Sequence, residues 1–231
     1  MRRVVVLNPK GGSGKTTIAV NLAAWYARRG DRPVLMDYDP QASATAWLRR
    51  RPERLPRIHL IDAATRDNRV TRAFQLRIPE NAGVVVVDTP AAIDPAEISE
   101  FTAGADRILV PVLPSPIDIQ ACTRCVQTLL LVAKVKRAHN RLGIIANRVR
   151  ARTRVAQSLD TFLGTLGIPI VATLRDSQNY IHCAAEGLGI HDVPEPQARD
   201  DLDTWRPLEY WLQSDDAPLA LAAGAGEALL T

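Results

Sequence analysis

Eight consecutive residues carry most of the chemistry this sequence offers: Lys10-Gly11-Gly12-Ser13-Gly14-Lys15-Thr16-Thr17. Glycines at this spacing let successive backbone N–H groups turn inward around phosphate oxygens without Cβ clashes. Lys15 supplies an ammonium for the β- and γ-phosphates, and the Thr16 hydroxyl supplies a hard oxygen for Mg²⁺. Of the 29 Lys and Arg residues only four are lysine (Lys10, Lys15, Lys134 and Lys136), leaving 25 arginines. A chain that nearly always uses arginine has placed two of its lysines here, which points to a need for compact point charges. The bland alternative is an ordinary glycine-rich turn between a strand and a helix, and the length of the match argues against it.

Such a loop must be held between a strand and a helix, and the flanking residues predict both. Arg3–Asn8 is short, apolar and β-branched, as in a buried strand, while Thr16–Arg29 has helical spacing (Ile18, Leu22, Trp25, Tyr26) and stops at Gly30. Further strands are predicted at Pro33–Asp37, Arg57–Asp62, Val84–Asp88, Arg107–Leu113, Leu142–Asn147 and Pro169–Ala172. Helices are predicted over Ser43–Arg50 and roughly Ile119–His139. Strands alternating with helices imply right-handed crossovers, hence an α/β fold with a mostly parallel twisted sheet and helices on both faces. Ligands of such sheets bind beyond the carboxyl ends of the strands. Asn8–Lys10, Asp37–Asp39, Asp88–Pro90, Pro111–Pro114 and Asn147 all fall there, so five polar or proline-rich segments are expected to converge on one edge.

The chain has 231 residues, 46% hydrophobic and 23% charged, which fits one globular domain over residues 1–213 and excludes disorder, collagen and coiled coil. Residues 214–231, rich in Ala, Leu and Gly, are expected to form a flexible tail. No apolar run approaches the ~20 residues that cross a bilayer, and Val4–Leu7 behind Met1-Arg2-Arg3 is too short for a signal peptide. A cytoplasmic protein is expected. Three cysteines without a secretion signal argue against a disulfide framework. Cys122 and Cys125 form a lone C-x-x-C, expected to be two helical thiols, with zinc bound across a dimer or redox activity as alternatives.

The loop departs from G-x-x-x-x-G-K-[ST], because Pro9 stands at the first glycine position and Lys10 follows it. In that form it resembles the deviant Walker A signature of the ParA/MinD family of ATPases, in particular the small ParA type that includes plasmid-partition ParF and carboxysome-positioning McdA. The resemblance runs from Met1 to about Arg175 and is looser beyond. It implies a P-loop ATPase in which two subunits sandwich two ATP molecules, with Lys10 as the signature lysine that reaches the partner's nucleotide and acts like an arginine finger. It makes Asp37-Tyr38-Asp39-Pro40-Gln41 similar to switch I, whose second aspartate, Asp39, helps place the attacking water and the metal's water shell. It makes Val84–Val87 and Asp88-Thr89-Pro90 similar to the Walker B strand and switch II, with Asp88 holding Mg²⁺ through water. Taken alone, each aspartate is a helix cap or turn residue. Pro111–Asp118 resembles a proline-containing segment near the dimer interface, and Asn147-Arg148 matches the strand-end pair used around adenine. An asparagine amide can donate to N7 and accept from N6; a strand-terminating turn is the alternative.

From Lys134 to Arg154 there are eight Lys or Arg and no Asp or Glu. On residues alone this is a solvated basic face. With the resemblance it implies sequence-independent DNA binding through Arg148, Arg150, Arg152 and Arg154, with Arg175 beside them. Residues 214–231 hold no Lys or Arg but do hold Asp215, Asp216 and Glu227, which disfavours a MinD-like membrane anchor. The chain opens directly on its first strand, so a preceding DNA-reading domain is not expected.

The resemblance therefore implies a weak, Mg²⁺-dependent ATPase that positions a cargo. It would dimerise on ATP, coat the nucleoid and be released when a ParB-like or McdB-like adaptor stimulates hydrolysis. The competing readings are a metabolic or electron-transfer ATPase similar to nitrogenase iron protein, which would need strand-end cysteines that Thr89-Pro90-Ala91 does not provide, and a membrane-associated positioning ATPase. A zinc-bridged targeting ATPase is a weaker third, because the chain lacks a helical client-binding insert.

Overall fold

The computed structural model describes residues 1–65, 70–135, 141–150 and 167–214. Seven strands, β1 (Arg2–Val6), β2 (Pro33–Asp37), β3 (His59–Asp62), β4 (Val84–Asp88), β5 (Arg107–Val112), β6 (Leu142–Val149) and β7 (Ile170–Arg175), form one sheet in the order β3-β2-β4-β1-β5-β6-β7. Every neighbouring pair is parallel. Runs such as Val84–Val87 suit this setting, because a strand buried on both faces favours β-branched apolar side chains without polar alternation. The pleat divides them between two cores. Val4, Val6, Val84 and Val86 pack on one face with Trp25, Trp205 and Trp211. Val5, Leu7, Val85 and Val87 pack on the other with Ile98, Cys122, Val126 and Leu129.

The helices are α1 (Lys15–Arg28), α2 (Ser43–Arg50), α3 (Arg72–Gln75), α4 (Pro95–Thr102), α5 (Pro116–Leu131), α6 (Asn179–Ala185) and α7 (Glu195–Gln213), with a 3-10 turn at Ile190–Asp192. The chain leaves β1 toward β2 and β3, returns in β4 beside β1, and then continues in β5 on the other side of β1. Its direction across the sheet reverses at β1, so the crevice that α/β sheets use for ligands opens where β1 ends.

Several elements differ from expectation. α5 starts at Pro116, where the Ser115 side chain accepts from Asp118 N, and stops at Leu131 rather than near His139. Lys134 has left-handed backbone (φ 52), which no helix continues through; residues 136–140 lie outside the described residues. β6 and β7 run on to Val149 and Arg175. Neither α4 nor α7 was anticipated. α4 opens on a capping box, in which Ala96 N donates to the Asp94 side chain and Asp94 N donates to Glu97. The Cys122 and Cys125 thiols are free and buried, and burial pushes Cys122 up to about 12 and Cys125 higher. These are packed thiols with little thiolate character.

Candidate functional site

The phosphate loop hangs from β1 by hydrogen bonds to neighbouring strand ends. Asn8, fully buried, donates from Nδ2 to Pro111 O (2.7 Å) and accepts from Lys10 N (2.9 Å). Ala92 N donates to Pro9 O (2.7 Å), which ties the segment after β4 to the same loop. Gly12 (φ 77) and Gly14 (φ 93) occupy left-handed backbone that a side chain would strain. Gly14 is the N-cap of α1, so the free N–H groups of the first helical turn face the loop. Lys15 lies folded inside it, 5% exposed, donating to Lys10 O (3.4 Å). Burial lowers its pKa, against the opposing pull of Asp88 and Asp39.

The three aspartates stand at neighbouring strand ends, with Asp37 and Asp88 in register across β2 and β4. Their roles differ. Asp37 is structural: its side chain accepts from Asp39 N (3.1 Å), Thr45 N (2.8 Å) and Thr45 Oγ1 (2.8 Å), and so shapes the turn and starts α2. Asp39 accepts only from Gln41 N (2.9 Å) among the described residues, and stays partly open to solvent. Asp88 is fully buried, and although Thr16 stands beside it, neither carboxylate oxygen accepts a hydrogen bond of good geometry. An orphaned buried carboxylate beside a threonine hydroxyl suits Mg²⁺, which takes hard oxygen ligands and keeps several waters. Thr16 and, through water, Asp88 and Asp39 would hold it.

Burial is the main cause that pushes Asp88 up to about 7 from its ordinary 3.8. Within that window the folded chain keeps a proton that the unfolded chain has released. Stability therefore falls as pH rises through the window and stays low above it. Asp88→Asn is expected to raise the melting temperature of the ligand-free protein at pH 8 by about 5 °C, for roughly 2 kcal/mol, and to change it little at pH 4. It should also abolish the extra melting temperature conferred by Mg·ATP. Fluorimetric melts at the two pH values check both, and an equal shift at each would remove burial as the cause.

Lys10 is not free in this chain. Its Nζ lies 2.5 Å from Asp118 Oδ1 in the first turn of α5, with the lysine side chain 32% exposed and the aspartate 6%. Ser115 Oγ donates to the other Asp118 oxygen. Asp118 lay within the sequence segment singled out for the interface, but as a partner for Lys10 it was missed.

At the far end of the loop, a cavity of about 310 Å³ is lined by Thr17, Ile18, Asn147, Arg148, Asp176, Ser177, Tyr180 and Trp205 among others. It is apolar on the α6 and α7 side and opens beside the N-terminus of α1. Asn147 is buried at its edge, donating to Ser13 O (2.8 Å) and accepting from Arg148 N (3.0 Å). Three of the five non-glycine residues with positive φ among the described residues, Ala42 (φ 51), Ala92 (φ 55) and Arg148 (φ 52), lie along this same sheet edge. Such strain tends to collect at ligand clamps and switches.

The basic positions are less uniform than the sequence implies. Arg148 is exposed, but Arg150 is paired with Asp176 (2.8 Å) and Arg175 with Asp200 (2.6 Å). Arg152 and Arg154 lie outside the described residues.

Comparison with known proteins decides the family. The profile of the CobQ/CobB/MinD/ParA nucleotide binding domain matches residues 4–190. The chain belongs to this family. It is 34% identical over 217 residues to Maintenance of carboxysome distribution protein A of Gloeobacter kilaueensis, covering 93% of this chain and 95% of that one. The protein of the same name from Halothiobacillus neapolitanus is 30% identical over 197 residues, 82% of this chain and 87% of the relative. The solved ATP complex of a Cyanothece McdA variant superposes with a TM-score of 0.67 at 18% identity, covering 90% of this chain and 96% of that one, which shows the shared fold. The ParA/MinD resemblance carried by Lys10–Thr17 thus holds along most of the chain.

Proposed function

We propose that this ParA/MinD-family chain is a positioning ATPase that binds Mg·ATP, dimerises on it, holds DNA without sequence preference and lets go on hydrolysis. One observation carries the reading: a buried P-loop ammonium (Lys15), an orphaned buried carboxylate (Asp88) and a second loop ammonium (Lys10) share one sheet edge. Relatives named for carboxysome distribution support positioning as the task. The fold-mate solved with ATP supports the nucleotide.

The chain's own groups have separable tasks. Backbone N–H groups from Gly11 to Thr16 and the start of α1 cradle the phosphates, and Lys15 neutralises the β- and γ-oxygens. Asp39, partly open and adjacent to Asp88, orients the attacking water, whose oxygen bonds to the γ-phosphorus as the bond to the β-phosphate oxygen breaks and ADP leaves. Bound Mg²⁺ supplies charge neutralisation of the phosphate oxygens. Lys10 of a second copy meets charge developing on the transferred group. The base and ribose occupy the cavity beside Thr17 and Trp205. Arg148, Arg150, Arg152, Arg154 and Arg175 form a basic rim that dimerisation doubles, and an adaptor protein on the cargo stimulates turnover.

Salt-dependent binding to random-sequence duplex DNA tests this. With Mg·ATP the chain should sediment as a dimer and retain DNA on filters, and without nucleotide it should do neither. Replacing Arg150, Arg152 and Arg154 together by alanine should weaken binding equally on unrelated sequences and reduce the slope of log affinity against log salt by about 0.9 for each lost phosphate contact. A nucleotide-loaded monomer indifferent to DNA would overturn the reading.

A further inference from the structure

Asn147 stands at the end of β6, which is separated from β1 by β5, yet its side chain spans to the phosphate loop. It is 6% exposed. Its Nδ2 donates to Ser13 O at 2.8 Å and its Oδ1 accepts from Arg148 N at 3.0 Å, so both ends of the amide are engaged within the chain. We propose that Asn147 is a positioning residue of the phosphate loop and does not read the base. This rests on the ATP-binding reading above.

Three observations carry it. A trans peptide places its C=O and the following N–H on opposite sides of one plane. By holding Ser13 O, Asn147 therefore turns Gly14 N–H the other way, into the cradle. The second is contact: a Cβ on Gly14 would collide with Asn147 Nδ2, so loop and amide leave no space between them. With Gly14 at φ 93, the loop is shaped around the asparagine as well as around phosphate. The third is the lack of any other anchor at this point. The Ser13 hydroxyl is buried and without a partner, so the Ser13 carbonyl is what links this part of the loop to β6. The Oδ1 bond to Arg148 N in turn stabilises the left-handed turn (φ 52) that ends the regular pairing of β6.

Equilibrium binding of ATP, 7-deaza-ATP, purine riboside triphosphate and inorganic tripolyphosphate to the full chain and two variants tests the assignment. Asn147→Ala should weaken all four by a similar factor, about tenfold for one well-formed internal hydrogen bond to the loop. Asn147→Asp is isosteric, keeps the acceptor for Arg148 N, and sets a carboxylate against the Ser13 carbonyl. It should therefore weaken all four at least as much as alanine does. A loss confined to ATP, vanishing when N7 or the N6 amino group is absent from the ligand, would overturn the proposal and return Asn147 to base reading. So would an aspartate variant that binds like wild type. Failure of the wild type to bind ATP at all would sink the ATP-binding reading instead.

Discussion

Lys15→Ala is expected to weaken Mg·ATP binding by roughly 10²–10³-fold while the protein stays folded. The ammonium is already inside the loop, 5% exposed, with a pKa lowered mainly by burial. In the ligand-free chain it donates one long bond, to Lys10 O (3.4 Å), and so has capacity to spare for phosphate oxygens. Charge-assisted bonds of that kind are worth about 1.5–3 kcal/mol each, and Lys15 can make more than one. The fold does not depend on it, because keeping a buried cation costs desolvation that alanine removes. A second effect goes with the first. Lys15 is one of the groups that holds Asp88 down, so its loss should move the Asp88 midpoint above about 7 and shift the pH dependence of stability upward. Calorimetric titration with ATP, alongside melts from pH 5 to 9, reads both effects. Tight ATP binding by the variant would refute the loop assignment.

The sheet was readable because its strands are pure in type. Five residues such as Val84–Asp88 leave no competing period, and the polar residue that ends each strand marks the ligand edge. Asp94 and Glu97 did announce α4, but a capping box over an eight-residue helix gives little periodicity to confirm it. α7 carries Ala198, Trp205, Leu208, Trp211 and Leu212 at helical spacing, all buried. Pro207 inside it conceals the pattern, since proline ordinarily marks a boundary. The site followed the same logic. Lys15, Thr16 and Asp88 are legible because their chemistry is tied to local spacing. The Lys10–Asp118 pair and the Asn147–Ser13 bond join residues more than 100 positions apart, and only the strand order brings them together. Arg150 and Arg175 look like free cations in sequence because the acids that meet them, Asp176 and Asp200, lie outside the basic run.

Lys10→Ala should leave ATP binding to each protomer within a few-fold of wild type, since Lys15 holds the phosphates, but should abolish ATP-dependent dimerisation and lower partner-stimulated turnover by ~10³-fold, the scale of a lost arginine finger. The geometry adds a step to that role. In the single chain Lys10 is committed to Asp118, so it must exchange this carboxylate for a phosphate of the partner's nucleotide. The exchange is easy in energy, because a pair whose lysine is 32% exposed is worth no more than about 1 kcal/mol. Asp118→Asn removes the competitor and is expected to act in the opposite direction, lowering the protein concentration at half-dimerisation by about two- to fivefold. Asp118 also lies in the first turn of α5, where a negative charge favours the helix, so a small drop in melting temperature should accompany the gain. Opposite signs in dimerisation from the two ends of one ion pair separate release of Lys10 from general loss of stability. Sedimentation velocity with a non-hydrolysable ATP analogue provides the measurement. A Lys10→Ala protein that dimerises at the wild-type concentration would exclude the trans role, and an Asp118→Asn protein that dimerises less readily would show the pair to be part of the interface instead of a restraint on it.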